Sequence, residues 1–304
     1  MIIADPICYA INSISMGDVI AAAPVVSWAI RNFHQDGNYK VLTIPHYRSL
    51  FHFVPDENYG DQRTKHSFNP PWQIRYLNTP KSANARTTSM RMHLSDFASI
   101  QLTDRIIPKD DRFYLPVPKV DISHFGLDTS KCVFIIVTYR DSSRKITFEA
   151  VKGIAEHVAA KGLVPVYVGR EDNDAIWQDS PFKMSFDSLP KEGVSLVNKT
   201  SMAELVSLMA GAKCVVGMDS GPIHLAGTTE VPIVCGYTSV SPEVRYPLRM
   251  PRKLAPVIPT SPCRHCQNRW ALNYHDFGTC YFKHTNCVNE LTAEKFISAL
   301  DTFI

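Results

Sequence analysis

The second half of the chain alternates apolar runs with amphipathic segments. Residues 132–138 (CVFIIVT) form a continuous β-branched and aromatic run, which is typical of a buried strand in a parallel sheet. Residues 148–160 follow with helical spacing, because their apolar side chains recur on one face. Four further runs predict strands at 164–169, 194–198, 213–217 and 231–235. Strands and helices that alternate in this way predict a Rossmann-like α/β domain.

The first half shows the same pattern over a shorter length. It predicts two strands and an intervening helix, at 7–14, 39–44 and 19–33. The stretch 55–91 then loses periodicity and predicts long loops, while 115–131, with its prolines, predicts a linker. At roughly 100 to 200 residues per domain, a chain of 304 residues holds two domains. We therefore predict two Rossmann-like domains, 1–120 and 130–304, the second ending in a helix.

Composition and charge exclude several classes of protein. Hydrophobic residues make up 45% and charged residues 20% of the chain, as in ordinary globular proteins. No run of about 18 uncharged apolar residues occurs, so we predict no membrane span. The first 14 residues lack Lys and Arg, which argues against a secretory signal and predicts a cytoplasmic location. The 14 glycines against 21 prolines argue against a Gly-rich phosphate loop.

Positive charge is concentrated in one part of the first domain, although the net charge of the chain is only +3. Residues 56–95 contain six Lys or Arg against three Asp or Glu. Two interpretations stay open: a solvated loop, or a site for an anionic acceptor that involves Arg63, Arg86, Arg91 and His93.

A turn in the second domain has the features of an anion site. Residues 217–224 read GMDSGPIH, so that a buried strand ends just before a helix with proline near its start. Backbone N–H groups at Ser220 and Gly221 would point out of the carboxyl edge of the sheet, where a diphosphate could bind. The alternative is that Asp219 only caps the helix and that His224 is a packed helical histidine.

Two segments resemble a known family. Residues 198–226 (NKTSMAELVSLMAGAKCVVGMDSGPIHLA) resemble the nucleotide-sugar-binding segment of the heptosyltransferase-like glycosyltransferases of family 9, which have the two-domain GT-B fold. Residues 15–24 (SMGDVIAAAP) are similar to the Gly-Asp motif of that family. The resemblance implies that Asp18 is the general base, which takes the proton of the acceptor hydroxyl. The alternative is that Asp18 merely caps the following helix.

A third patch, TYRDSSRK, follows the first strand of the second domain. The family has a Thr- or Ser-rich turn here and a lysine that contacts the donor diphosphate, which implies donor binding by Thr138 and Arg140. Arg144 and Lys145 compete for the role of that lysine. A cation here would neutralise the leaving diphosphate without a metal ion. The resemblance also places Glu171, after the next strand, near the base or ribose, although it could be an ordinary loop acid.

The eight cysteines fall into two groups. Four lie in predicted strands and are interpreted as small buried hydrophobic residues: Cys8, Cys132, Cys214 and Cys235. The other four form a C-x2-C-x13-C-x6-C pattern: Cys263, Cys266, Cys280 and Cys287. This pattern is compatible with a structural zinc ion or with reduced thiols, and the resembling family often has a similar cluster. Four thiolates would leave no open position for a catalytic zinc.

Together these features predict an inverting GT-B glycosyltransferase whose two domains face each other across a cleft and whose catalysis requires no cofactor. The donor would be a nucleoside diphosphate-sugar. Family resemblance implies a heptose donor and a lipopolysaccharide core as the anionic acceptor. Hydroxylated bases of DNA, as in some bacteriophage enzymes, are an alternative acceptor. A noncatalytic nucleotide- or zinc-binding protein of the same fold is the alternative from another class.

Overall fold

The computed structural model describes most of the chain in two compact units, Met1–Pro118 and Lys119–Ile304. The described residues are 7–11, 16–43, 45–60, 66–68, 92–112, 115, 118, 120–137, 142–170, 189–247, 253–270, 280, 282 and 284–304.

The first unit contains a parallel sheet of three strands in the order β2-β1-β3. The strands are β1 (Ile7–Ile11), β2 (Tyr39–Leu42) and β3 (His66–Phe68). The helices are α1 (Met16–Phe33), α2 (Leu94–Thr103) and α3 (Lys109–Arg112), with 3-10 turns at Pro45–Phe51 and Asp56–Asn58. Helix α1 is buried from Gly17 to Ala29, because small and β-branched side chains dominate it and let neighbours pack closely.

One expectation for this unit is wrong in part. The stretch 55–91 is not all loop, since His66–Phe68 pairs with β1 as a third strand. Three residues are too few to give an alternating pattern, so periodicity could not reveal this strand. Residues 61–65 and 69–91 lie outside the described part of the chain.

The second unit is a parallel sheet of six strands in the order β6-β5-β4-β7-β8-β9. The strands are β4 (Cys132–Ile136), β5 (Val164–Val168), β6 (Val194–Ser195), β7 (Cys214–Met218), β8 (Ile233–Gly236) and β9 (Leu254–Val257). The helices are α4 (Phe148–Ala160), α5 (Met202–Ala210), α6 (Gly221–Ala226), α7 (Pro242–Arg245), α8 (Cys266–Trp270), α9 (Asn286–Asn289) and α10 (Ala293–Leu300). The order of elements confirms the predicted mixed α/β class with parallel strands.

Local signals explain where these helices begin. Helices α4 and α5 have the predicted bounds, and each begins after a capping side chain. Thr147 accepts a hydrogen bond from Ala150 N, and Ser201 forms a capping box with Glu204. Helix α10 packs against α4, and its Phe296 and Leu300 are fully buried in the core of this unit. Among the helices of the described residues, none is long and apolar enough to cross a membrane.

Candidate functional site

The candidate site lies where three neighbouring strands of the second unit end. Strands β4, β7 and β8 are adjacent and parallel, so their carboxyl ends meet at one edge of the sheet. A 3-10 turn, Ser142–Arg144, follows β4, and Asp219 follows β7 directly. This edge is where open α/β sheets bind their ligands.

Asp219 is the centre of a buried charged cluster. Its side chain is only 3% exposed. Arg144 Nη1 donates to Asp219 Oδ2 at 3.1 Å, and His224 Nε2 lies 3.1 Å from Oδ1. Each carboxylate oxygen therefore has a partner, as a buried charge requires.

The pKa of Asp219 shows which effect dominates in this cluster. Burial by itself would raise the pKa of the carboxyl group. The hydrogen bond from His224 and the positive charges of Arg144 and Arg245 outweigh burial, and they hold the pKa well below its ordinary value. Asp219 is therefore an ionised carboxylate that orients the groups around it.

The helix cap is assigned to Ser220 and not to Asp219. Helix α6 begins at Gly221, and Ser220 holds the capping position without a capping hydrogen bond from its side chain. In the described part of the chain, the Ser220 hydroxyl is buried and has no hydrogen-bond partner. His224 is packed, with 6% exposure, but it also holds the carboxylate. The expectation that Asp219 is simply a cap is thus wrong.

The structure separates the two cations that competed in the sequence. Arg144 contacts Asp219, whereas Lys145, the next residue, is half-buried beside the same turn. Three other predicted donor-binding residues lie outside the described residues, namely Thr138, Arg140 and Glu171.

Sequence reasoning missed Arg245. This residue ends α7, the short helix that follows β8, and its charge acts on Asp219. The available signal was that β8 ends at the same edge as β7, so a cation shortly after β8 could reach the site. The charges of both Arg144 and Arg245 therefore act on the carboxylate of Asp219.

In the first unit, Asp18 lies in the first turn of α1 and is 3% exposed. The helix begins at Met16, three residues earlier than predicted, so Asp18 is inside the helix and does not precede it as a cap. His93 caps α2, because Ser95 N donates to His93 Nδ1 at 3.2 Å. The other predicted acceptor residues, Arg63, Arg86 and Arg91, are not among the described residues.

The cysteines lie in two kinds of environment. The four strand cysteines are buried and free: Cys8, Cys132, Cys214 and Cys235. The cysteine cluster consists of three half-buried thiols and one buried thiol: Cys263, Cys266, Cys280 and Cys287. Burial, followed by the charges of the other three, raises the pKa of the last of these, Cys287, to about 12. The four thiols therefore lie within electrostatic reach of one another, although no three Cys, His, Asp or Glu side chains of the described residues are arranged to hold a metal ion.

Comparison with known proteins shows what this part of the chain is similar to. Residues 149–272, which include Asp219 and His224, match the family model for glycosyltransferase family 9 (heptosyltransferase). Among curated protein sequences, nothing matches the chain.

Several solved structures share the fold. The iron-containing dodecameric glycosyltransferase TibC from enterotoxigenic E. coli H10407 is 14% identical, with a TM-score of 0.67 over 98% of this chain and 76% of TibC. TibC in complex with ADP-D-beta-D-heptose gives 16% identity, a TM-score of 0.63 and the same coverages. A family 9 glycosyl transferase from Veillonella parvula DSM 2008 is 14% identical, with a TM-score of 0.61 over 98% of this chain and 97% of the other. ADP-heptose lps heptosyltransferase II from E. coli is 14% identical, with a TM-score of 0.60 over 98% of each chain.

The fold and the family match define a glycosyltransferase of the GT-B class, as the sequence predicted. Within that class, residues 149–272 are similar to family 9, the heptosyltransferase family.

Proposed function

We propose that this glycosyltransferase moves a sugar from a nucleoside diphosphate-sugar to a hydroxyl group of an anionic acceptor, with inversion and without a catalytic metal ion. The observation that carries the proposal is the buried Asp219, held by Arg144 and His224 at the carboxyl edge of the sheet. Thr138, Arg140, Lys145 and Glu171 are proposed to complete the donor site.

Cations at this edge of the sheet support a diphosphate site. The positive charges of Arg144 and Arg245 act on Asp219, and guanidinium groups have a geometry suited to phosphate. Charged donors bind phosphate oxygens with short, strong hydrogen bonds. The buried hydroxyl of Ser220 and the backbone N–H of Gly221 would add neutral donors. TibC has been solved with ADP-D-beta-D-heptose, which makes an ADP-heptose the first donor to test.

We propose Asp18 as the general base. Its carboxylate would take the proton of the acceptor hydroxyl as that oxygen bonds to the anomeric carbon. The bond from the anomeric carbon to the diphosphate breaks on the opposite face, and its electron pair leaves with the diphosphate. Arg144 and Arg245 would stabilise the negative charge that develops on the leaving group.

The acceptor is proposed to be a lipopolysaccharide core. The support is the heptosyltransferase II of E. coli, which shares the fold and is named for lps. The local excess of Lys and Arg at 56–95 suits an anionic acceptor, and it supports hydroxylated DNA bases as the second candidate. A cytoplasmic location stays a prediction that cell fractionation would test.

A structural metal is proposed for the cysteine cluster and would have no part in the transfer. Thiols are the soft ligands that zinc and iron prefer, and the charges of Cys263, Cys266 and Cys280 act on Cys287. Metal binding would have to draw the four sulfur atoms closer, since no three such side chains of the described residues are arranged to hold a metal ion. The metal would join the turn that carries Cys263 and Cys266 to the positions of Cys280 and Cys287. Metal analysis of the purified protein should find about one zinc or iron per chain, and a Cys287→Ser variant should retain much less. The proposed metal would be refuted if the purified wild-type protein contained no metal and adding zinc or iron did not change its melting temperature.

The main experiment is mass spectrometry of transfer products. The protein is incubated with ADP-heptose and other nucleotide sugars, against a lipopolysaccharide core or DNA with hydroxylated bases. A mass gain of one sugar on the core supports the proposal, and a gain on DNA alone would replace the acceptor. Nucleoside diphosphates that bind without any transfer would favour a noncatalytic binding protein.

A further inference from the structure

The loop that follows β8 connects the donor site to the cysteine cluster. We name residues 237–241 the β8 loop. Thr238 Oγ1 donates a hydrogen bond to the carbonyl oxygen of Ser143, and the hydroxyls of Ser143 and Ser239 lie 3.3 Å apart. These three residues are 1%, 5% and 2% exposed, in the order Thr238, Ser143 and Ser239. The contacts join residues about a hundred positions apart, and they do so in the protein interior.

The other side of the same loop is held by the turn that contains the first two cysteines of the cluster. His265 N donates to the carbonyl oxygen of Thr238 at 2.7 Å, and Gln267 N donates to that of Ser239 at 3.0 Å. The backbone carbonyls of the β8 loop therefore accept hydrogen bonds from the cysteine turn, while the side-chain hydroxyls of the same loop contact Ser143.

Ser143 directly precedes Arg144, whose guanidinium binds Asp219 at 3.1 Å. Both residues belong to the 3-10 turn Ser142–Arg144, against which α9 packs. Helix α9 carries Cys287, so the cysteine cluster meets this turn directly as well as through the β8 loop. Because Arg144 is one residue from the bonded carbonyl, a shift of the turn would move its guanidinium away from a fixed carboxylate.

We propose that Thr238 and Ser239 are positioning residues that hold Arg144 in place for the donor diphosphate. The inference rests on the proposed donor site. Neither hydroxyl needs to touch the donor, since each acts through the Ser143 backbone or side chain. Their loss should weaken the recognition of the diphosphate and leave the recognition of the nucleoside unchanged.

The test compares four variants: two at position 238, one at position 239 and one control at position 228. Thr238→Val keeps the shape of the side chain and removes the hydrogen bond to Ser143, whereas Thr238→Ser keeps the hydroxyl. Thr228→Val is the matched control, because Thr228 is 2% exposed and its hydroxyl donates to the carbonyl of Leu225 at 2.8 Å. Calorimetry measures the Kd of ADP and of adenosine for each protein.

We expect Thr238→Val to bind ADP about five- to tenfold more weakly, the effect of one net hydrogen bond, with the adenosine Kd unchanged. Thr238→Ser should restore ADP binding to within about twofold, and Ser239→Ala should show a smaller loss that is also specific to ADP. Thr228→Val should lose a similar amount of stability, but its Kd for ADP should stay close to that of the wild type.

Three results would overturn the inference: unchanged ADP binding by Thr238→Val, equal losses for ADP and adenosine, or the same ADP loss in Thr228→Val. If Thr238→Val does not fold, Ser239→Ala with unchanged ADP binding has the same force. A wild-type protein that binds neither ADP nor any other common nucleoside diphosphate would instead refute the proposed donor site, and the inference with it.

Discussion

The ion pair between Arg144 and Asp219 gives the sharpest prediction from the structure. Replacing Arg144 by Met keeps most of the apolar stem of the side chain and removes the guanidinium. The carboxylate of Asp219 would then stay buried, with Oδ2 lacking its partner and Oδ1 still bonded to His224. Stability should fall because the guanidinium holds Asp219, and donor binding should fall if the same guanidinium binds the diphosphate as proposed.

The size of the stability loss follows from burial. Breaking a fully buried pair by removing one partner costs about 3–5 kcal/mol. Arg144 is 32% exposed while Asp219 is 3% exposed, so solvent screens the cation and the expected cost is lower, about 1.5–3 kcal/mol. For a unit of this size, about 2–4 °C per kcal/mol corresponds to a fall in melting temperature of about 3–12 °C.

The pH dependence distinguishes this pair from a general packing defect. The pKa of Asp219 is lowered in the folded protein, so its stabilising contribution is present above the unfolded pKa, near 3.9, and is lost as pH falls towards the folded pKa. The difference in melting temperature between wild type and Arg144→Met should therefore be constant above about pH 5 and shrink below about pH 4.

Thermal melts from pH 3 to 8 and ADP calorimetry at pH 7 provide the measurement. The double variant with Asp219→Asn is the control, since removing the charge along with its partner should recover part of the lost stability. A variant that melts with the wild type and binds ADP equally well would refute the reasoning. A difference that persists unchanged at pH 3 would show that packing, and not the carboxylate, is responsible.

Three further predictions test other parts of the molecule. Asp18→Asn should reduce transfer by at least about a hundredfold in a product assay while ADP binding stays unchanged, and near-normal transfer would exclude Asp18 as the base. Gly236→Ala should cost about 1–3 kcal/mol in denaturant unfolding, because a Cβ atom there would lie 2.3 Å from Met218 Sδ; an unchanged midpoint would contradict this packing. Hydrogen bonds from Ser261 lower the pKa of Glu290 to about 2. Glu290→Gln should therefore lower the melting temperature at pH 7, and the effect should shrink as pH falls from about 4 towards 2. Equal effects at pH 7 and pH 3 would refute the assigned charge.

The regular elements of the second unit were predictable because their signals are local. Helices α4 and α5 begin at side chains that cap them, and a continuous run of β-branched residues marks β4. Strand β9 was missed, since Leu254–Val257 is only four residues long and contains Pro256. Periodicity identifies long buried elements and fails for short edge strands.

The candidate site was predictable in part for the same reason. Asp219 and His224 are five residues apart in one turn, so spacing alone brought them together. Their partner Arg144 is 75 residues away, and Arg245 reaches the cluster only because β7 and β8 are neighbours. Such contacts depend on strand order, which no local pattern contains. The roles of Asp18 and of the residues outside the described part of the chain stay predictions.

The role of Asp219 changes when the site is considered as a whole. In the sequence, an acidic residue beside a helix start suggests either a cap or a direct ligand. In the structure, its carboxylate is buried and both oxygens are already bonded, so it has little capacity left for a substrate. A fixed anion between Arg144 and His224 holds both side chains at defined positions before any donor arrives. Preorganised groups need no rearrangement during a reaction. If the proposed donor binds here, the orientation of Arg144 would offset the cost of one negative charge near the diphosphate.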